Sequence, residues 1–348
     1  MPRSIKKPPA SLKEEDSIVP APATVSVIIP TYNRKNMLRE TLESLAGQIL
    51  PSGCFEVILI DDGSTDGTAE IAAEVFPFTL RYFRQSNQGD AEARNLGAQQ
   101  SQADFLVFLD DDILVEPGYL THLIHAHDKR QKKIVVGTCH LWLEETLPSP
   151  QNLHSSLASD RIDTIAELPF REVFSNNMSI RREAYFEIGM MQGLGFPGSS
   201  MWCDLDFAYR AYQQGFAFGC STRAVCWHRD YAARNLDTRK KRARTAAYRA
   251  VVLFQKYPEL LSCVPMFSDK TPIDWTQDSA PVIARKLARS MASSSPALWS
   301  MELIVTTLEK HSPASAILPH LYRYIVGGYT FRGYREGLHK FGRIGAEG

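Results

Sequence analysis

Chemically active residues follow three apolar, strand-like runs in the first third of this 348-residue chain. The residues in question are Pro30–Arg34 (PTYNR), Asp61–Ser64 (DDGS) and Asp110–Asp112 (DDD). Ligands of open α/β sheets bind beyond the carboxyl ends of the strands, so we expect these residues to converge at one edge. Five carboxylates placed together repel one another unless a cation or hydrogen-bond donors compensate. Because Mg²⁺ and Mn²⁺ prefer oxygen ligands, the pattern predicts a divalent-cation site at Asp110–Asp112, with acidic turn formers as the alternative.

The elements that must position these residues alternate between strand and helix. Buried strands are predicted at 25–29, 56–60, 80–83, 104–109 and 134–138, with helices at 36–46, 64–75, 89–100 and 117–129. Such alternation indicates an α/β fold with a mostly parallel sheet and helices on both faces. After residue 140 the pattern predicts a loop at 144–171, short helices at 182–188 and 204–214, and a last strand at 224–227.

The C-terminal third has a helical pattern, with helices predicted at 238–256, 281–292, 299–310 and 314–340. We therefore divide the chain into a disordered tail at 1–23, an α/β domain at 24–231 and a helical C-terminal region at 232–348. That last region is expected to contribute to a homodimer contact or to a membrane-surface contact. The aromatic and Arg residues between 322 and 335 fit either an interfacial helix or a packed aromatic face.

Composition excludes several classes of protein. The 39 Lys and Arg residues balance 39 Asp and Glu, and 44% of residues are hydrophobic. A wholly disordered chain and a nucleic-acid binder that is basic throughout are both excluded. The six Cys residues form no CxxC pair, which indicates reduced thiols. The sequence shows neither a secretory signal nor an apolar run long enough to cross a membrane. These features predict a cytoplasmic protein, or one peripheral at the inner face of a membrane.

The three motifs also carry a resemblance to a known family. VSVIIPTYNR, EVILIDDGSTDGT and NQGDAEARNLGAQQSQADFLVFLDDDI occur in the order and spacing of family 2 glycosyltransferases, which have the GT-A fold. The resemblance covers about residues 24–230 and implies binding of a nucleoside-diphosphate sugar, with a UDP-sugar expected, together with Mn²⁺ or Mg²⁺. It implies that 24–231 is a nucleotide-sugar-binding catalytic domain and that 232–348 contributes to the acceptor side. The donor-binding residues that it implies are Pro30, Thr31, Asn33, Arg34, Asp61, Asp62, Arg94, Asp110 and Asp111. The implied metal ligands are Asp112, Asp110 and His228, although three consecutive Asp leave the register open and His228 could instead be a core histidine.

The resemblance also implies a catalytic base. The family has Glu-Asp at the start of a helix, and this chain has Cys203-Asp204 there, so Asp204 is the expected base and a simple helix cap is its alternative role. The family implies inverting transfer, and the absence of a QxxRW motif predicts transfer of a single sugar to a hydroxyl of a saccharide, lipid-linked or protein-linked acceptor.

Two rival functions remain open on the sequence. A sugar nucleotidyltransferase would need a glycine-rich loop that PTYNRKN lacks, and Cys203 motivates a non-catalytic nucleotide-sugar-binding scaffold. The GxGxxG match at Gly193–Gly198 follows no strand and is interpreted as a loop before the base. The basic segment 229–249 fits anionic lipid, the donor diphosphate (through Arg229 and Arg234) or a solvated helix face, and no nucleic-acid partner is predicted.

Overall fold

The computed structural model describes residues 24–50, 53–127, 132–141, 165–229, 235–264, 267, 270–271, 273, 275–276, 278–312 and 315–344. The predicted tail at 1–23 and most of the predicted 144–171 loop lie outside the described residues.

Nine strands and ten α-helices occur within the described ranges. The strands are β1 Val25–Thr31, β2 Phe55–Asp61, β3 Thr79–Arg84, β4 Phe105–Leu109, β5 Ile113–Val115, β6 Lys133–Leu141, β7 Ile165–Glu167, β8 Asn177–Arg181 and β9 Ala217–His228. The helices are α1 Lys35–Ala46, α2 Asp90–Gln100, α3 Tyr119–His125, α4 Arg182–Ile188, α5 Cys203–Gln213, α6 Leu236–Lys256, α7 Leu260–Cys263, α8 Ala280–Ala292, α9 Ser295–His311 and α10 Leu318–Phe341. Short 3₁₀ turns occupy Thr68–Ala73 and Phe170–Glu172.

All nine strands belong to one sheet with the order β3-β2-β1-β4-β8-β6-β9-β5, and β7 also pairs with β9. The block β3-β2-β1-β4 is parallel, as is the long β6-β9 pair, while β8 runs antiparallel between β4 and β6. In this register Thr31 lies opposite Asp61, so the first two strands end level with each other. The parallel block thus brings the three sequence motifs to one edge, as predicted.

Alternation along the strands builds two apolar cores, one on each face of the sheet. Ile28, Ile58 and Phe108 pack toward α2, α4 and α5 on one face. Their neighbours Val27, Val57 and Val107 pack toward α1 and α3 on the other. Since successive side chains point to opposite faces, each continuous apolar strand fills both cores. The α/β class with a mostly parallel, doubly covered sheet is confirmed.

Several predicted elements differ from those observed. The helix predicted at 64–75 is only the 3₁₀ turn Thr68–Ala73, because Gly67 before it has a left-handed φ of 82° and the Asp66 carboxylate holds the Thr68 amide. The strands β5, β7 and β8 were not predicted, and β7 lies inside the predicted 144–171 loop. β5 (ILV) and β7 (IAE) are too short to show a period, and β8 (NMSIR) mixes polar and apolar residues. Pairing with neighbouring strands makes all three segments strands.

The C-terminal helices pack as a bundle in which α6 crosses α10 closely. A Cβ atom on Gly333 of α10 would lie 2.0 Å from the Arg244 carbonyl oxygen of α6, so only glycine allows this approach. Phe331 and Tyr334 of α10 are buried, so the packed-face interpretation holds for these two aromatic residues. Within the described part of the chain, no helix is long and apolar enough to cross a membrane.

Candidate active site

An open cavity of about 370 Å³ lies at the carboxyl ends of β1 and β4. Its lining residues are Pro30, Thr31, Tyr32, Arg34, Asp62, Asn87, Gly89, Asp90, Arg94, Asp110, Asp111, Asp112, Gly198, His228 and Arg242. Nine of the eleven residues predicted from the family resemblance to bind donor or metal are in this set. Of the predicted residues, Asn33, Asp61 and Asp204 do not line the cavity.

The three consecutive aspartates have different partners. Asp110 forms an ion pair with Arg94 at 2.5 Å. Asp111 accepts hydrogen bonds from Thr31 Oγ1 at 2.7 Å and from Arg34 Nη1 at 3.0 Å. The Arg34 Nη1 group also donates to Asp112 Oδ2 at 2.8 Å. Each carboxylate therefore has its own cation or donor, which offsets their mutual repulsion.

Protonation of the aspartates follows from these surroundings. Burial raises the pKa of Asp111 to about 7 despite the opposing charge of Arg34. Burial also raises the pKa of Asp110, against the charge of Arg94. For Asp112 the effect of burial is outweighed by His228 and Arg34, which lower its pKa. Asp112 is thus the member of the triplet whose surroundings favour the ionised form.

Asp112 and His228 face each other at the cavity. Asp112 Oδ1 is buried without a hydrogen-bond partner and lies 3.3 Å from His228 Nε2. The close approach of the Asp112 carboxylate raises the pKa of His228. No group of three or more His, Cys, Asp or Glu residues in the described ranges has metal-binding geometry. An unsatisfied carboxylate oxygen beside an imidazole fits a divalent cation that takes its remaining ligands from phosphate and water.

The residues at the end of β2 hold the loops around the cavity. Asp61 is fully buried, and its carboxylate accepts hydrogen bonds from the Ser64 amide and the Tyr82 hydroxyl, each at 2.7 Å. Asp62 accepts bonds from the backbone amides of Gln88 and Gly89 at 2.8 Å each. Asp62 therefore fixes the turn before α2 at the cavity wall.

Asn33 lies at a turn behind the cavity and has a positive φ of 52°. Its side-chain oxygen accepts a bond from the Thr65 amide at 2.7 Å, and its own amide donates to Ser64 Oγ at 2.9 Å. Asn tolerates this left-handed conformation better than most residues. In this structure Asn33 ties the loop after β1 to the loop after β2.

Arg94 lines the cavity and pairs with two of its carboxylates. Its side chain is 3% exposed and pairs with Asp110 and, at 3.1 Å, with Asp90. The negative charges of Asp110, Asp90 and Asp204, which outweigh burial, raise the pKa of Arg94 well above its usual value. Arg94 thus pairs with Asp110 of the triplet and acts through its charge on Asp204.

Asp204 lies in the first turn of α5, as predicted. Burial raises its pKa, against the charge of Arg94 and a hydrogen bond from Ser175. The preceding Trp202 has a φ of 72°, a strained conformation for a bulky side chain. Its indole donates to the Ala246 carbonyl of α6 at 2.7 Å, so the start of α5 is anchored to the C-terminal region.

Asp206 does not line the cavity but holds neighbouring helices together. Its carboxylate is completely buried and accepts bonds from Arg210 Nε at 2.8 Å and Lys256 Nζ at 2.7 Å. Because Lys256 belongs to α6, this ion triad joins α5 to the C-terminal helices.

Several cavity residues were missed by the sequence interpretation. Asp90 and Asn87 flank the start of α2, and Gly198 comes from the rejected GxGxxG segment. Arg242 of α6 lies in the basic segment 229–249, but nothing in its spacing identified it as a cavity residue. Arg229, one candidate for the diphosphate, pairs with Glu40, and Arg234 lies outside the described residues.

Comparison with known proteins supports a common fold. A crystal structure of S. aureus TarS 1-349 in complex with UDP-GlcNAc is 16% identical, with a TM-score of 0.51 and 92% of each chain covered. The mannosyltransferase PcManGT from Pyrobaculum calidifontis, in complex with GDP-Man and Mn²⁺, is 18% identical, with a TM-score of 0.53 over 91% of this chain and 88% of that one.

The sequence relatives match a smaller part of the chain than the solved structures do. Validoxylamine A glucosyltransferase of Streptomyces hygroscopicus subsp. limoneus is 37% identical over 139 residues, which cover 39% of this chain and 29% of that protein. The match therefore spans less than a third of that relative's length. Residues 26–194 match the family model described as Glycosyl transferase family 2. Together with the GT-A fold and the cavity at its strand ends, this match establishes that the chain carries a glycosyl transferase family 2 domain.

Proposed function

We propose that this protein is a metal-dependent, inverting glycosyltransferase that moves one sugar from a nucleoside-diphosphate sugar, expected to be a UDP-sugar, to an acceptor hydroxyl. The observation that carries the proposal is the convergence of Arg34, Arg94, Asp112 and His228 on one open cavity at the strand ends. The structural neighbours that hold UDP-GlcNAc, or GDP-Man with Mn²⁺, support a donor of this class.

Cationic groups of the cavity suit a diphosphate. The Arg34 side chain is 43% exposed although it pairs with Asp111 and Asp112, so it can also contact a phosphate. Arg242 of α6 reaches the same cavity from the C-terminal region. Charge-assisted bonds from guanidinium groups to phosphate are among the strongest hydrogen bonds in proteins.

Asp112 and His228 are the residues that would hold Mn²⁺ or Mg²⁺, given the unsatisfied Asp112 Oδ1 beside the imidazole. When bound, such a cation neutralises the diphosphate and makes it a better leaving group. Asp110, which pairs with Arg94, is then assigned to the sugar or ribose of the donor rather than to the metal.

Asp204 is assigned as general base. Its raised pKa makes it a stronger proton acceptor than an ordinary carboxylate. It takes the proton of the acceptor hydroxyl as the oxygen bonds to the anomeric carbon. The bond from that carbon to the phosphate oxygen breaks on the opposite face, and the nucleoside diphosphate leaves with the electron pair. Arg94 pairs with Asp110 and acts electrostatically on Asp204, so it couples the donor side to the base.

A panel of nucleotide-sugars tests the proposal. Thermal unfolding is measured with each donor, with and without Mn²⁺, and donor hydrolysis or transfer is then followed for the stabilising donor. Asp204→Asn is expected to retain donor binding and lose turnover by about a hundredfold or more. Glu92→Gln, at an exposed position of α2 outside the cavity, serves as the control and should retain activity. Absence of stabilisation by every nucleotide-sugar would refute the proposal, and full activity of Asp204→Asn would refute the assigned base.

A further inference from the structure

Two further cavities lie in the C-terminal helical region, away from the strand ends. The first has a volume of about 490 Å³ and is lined by the cationic or imidazole groups of Lys270, Lys286, Arg335, His339 and Arg343. The second has a volume of about 460 Å³ and is lined by Lys270, Arg285, Arg289, His320 and Arg323. Lys270 belongs to both, so the two cavities adjoin.

The charged residues that line these cavities in the described part of the chain are Lys, Arg and His, with no Asp or Glu among them. Because Lys286 is paired with Asp278 at 2.6 Å, the positive charge is attributed to the exposed Arg285, Arg323 and Arg335. Glu336 of α10 forms an ion pair with Arg244 of α6. A concave surface lined by cations on low-dielectric walls concentrates a positive field and attracts anions.

The cavities follow one face of α10. His320, Arg323, Arg335 and His339 all line them, whereas Gly333 and its neighbours on the opposite face pack against α6. At a rise of 1.5 Å per residue, the lining positions from His320 to His339 extend over about 30 Å. The cationic groups are thus spread over a length that suits a chain of spaced anions better than one small anion.

We infer that these adjoining cavities bind a phosphate-bearing acceptor chain, one whose negative charges repeat along its length. The inference rests on the proposed function, since the chain is assigned as the acceptor of the transferred sugar. Trp275 in the first cavity and Tyr324 in the second, both exposed, add aromatic surfaces of the kind that pack against sugar rings. Guanidinium groups provide the forked donors that phosphates accept.

A bilayer surface is the other anionic partner to consider, and helix geometry disfavours it. Leu287 and Met291 of α8 are exposed apolar residues, at 45% and 76%. With 3.6 residues per turn, they project from the side of α8 opposite Arg285 and Arg289. If these apolar residues entered a bilayer, the two arginines would face away from its headgroups.

The test uses the full-length protein and three labelled probes: linear polyphosphate of defined lengths, vesicles containing anionic phospholipid, and single-stranded RNA. The variant Arg323→Ala/Arg335→Ala removes one exposed cation from each cavity. The control Lys310→Ala/Lys340→Ala removes the same charge from exposed positions of α9 and α10 that line neither cavity. We expect polyphosphate affinity to rise with chain length and to fall about tenfold in the cavity variant, with less than about a twofold change in the control.

Equal losses in the two double variants would overturn the inference, because generic charge would then explain binding. Retention of polyphosphate affinity in the cavity variant would overturn it too. Preferential binding to vesicles or to RNA through Arg323 and Arg335 would assign the surface to that partner instead. Donor-induced stabilisation and donor hydrolysis are measured on the same variants and should match wild type. Failure of the wild-type protein to bind any donor would refute the proposed function separately.

Discussion

The close crossing of α6 and α10 predicts opposite effects for the same substitution at two glycines of α10. A Cβ atom added at Gly333 would meet the Arg244 carbonyl oxygen at 2.0 Å and the carbonyl carbon at 2.7 Å. At Gly327, also inside α10, the nearest atom would be Arg289 Nη1 at 3.6 Å, an ordinary contact. Gly327→Ala is therefore a matched control for Gly333→Ala.

The magnitude follows from the geometry. Contacts of Cβ atoms below 3.0 Å essentially do not occur, so Gly333→Ala must separate the two backbones by about 1 Å. Overpacking of this kind costs about 3 kcal/mol at its upper range, and the higher helix propensity of Ala returns about 1 kcal/mol. We expect Gly333→Ala to lower the free energy of unfolding by about 2 kcal/mol, while Gly327→Ala raises it by about 1 kcal/mol.

Urea unfolding of both variants beside wild type measures the difference, and donor binding provides a second readout. Arg242, which lines the cavity, precedes Arg244 by two residues on α6. Displacement of α6 should thus weaken donor binding in Gly333→Ala and leave it unchanged in Gly327→Ala. Equal unfolding free energies for the two variants would show that the backbones of α6 and α10 do not approach this closely in solution.

Three further predictions concern the site and its anchoring. Arg242→Ala should raise the donor KM about tenfold through loss of a charge-assisted bond, while Lys241→Ala, its exposed neighbour outside the cavity, should leave the KM unchanged. Burial raises the pKa of Asp204 against the charge of Arg94, and the base acts when ionised. The value of kcat should therefore fall as the pH decreases through a pKa above the usual value of about 3.9. A pH–rate profile without an acid limb in that range would contradict the assignment of Asp204 as the base. Asp206→Asn leaves two cations beside a neutral amide, and we expect a loss of about 3–5 kcal/mol in urea unfolding; a loss below about 1 kcal/mol would show that the triad does not anchor α5 to α6.

Sequence patterns predicted the parallel half of the fold because its strands are continuous apolar runs, such as Val25–Ile29, that need burial on both faces. They could not predict β7 or β8. Asn177–Arg181 becomes a strand because it fills the space between β4 and β6, with Asn177 bonded to both backbone groups of Gly137. Non-local pairing of this kind leaves no periodicity in a short segment.

The candidate site also has one part that the sequence predicted and another that it could not predict. Motifs at the ends of β1, β2 and β4 identified Thr31, Asp62 and the aspartate triplet because parallel strands end at one edge and local sequence determines where each strand stops. Only the tertiary structure decided the separate roles within the triplet: Arg94 neutralises Asp110, Arg34 bridges the next two, and His228 faces Asp112.

The sequence by itself therefore determined the chemistry of the strand ends, since residue type and local periodicity carry that information. The tertiary structure decided which cations reach that chemistry. Arg242 lines the cavity although it lies about 130 residues after the aspartates in the chain. It reaches the cavity because α6 packs against α5, where contacts with Asp206, Trp202 and α10 hold it. Such a contact depends on the packing of whole helices, and no local pattern in the chain records it.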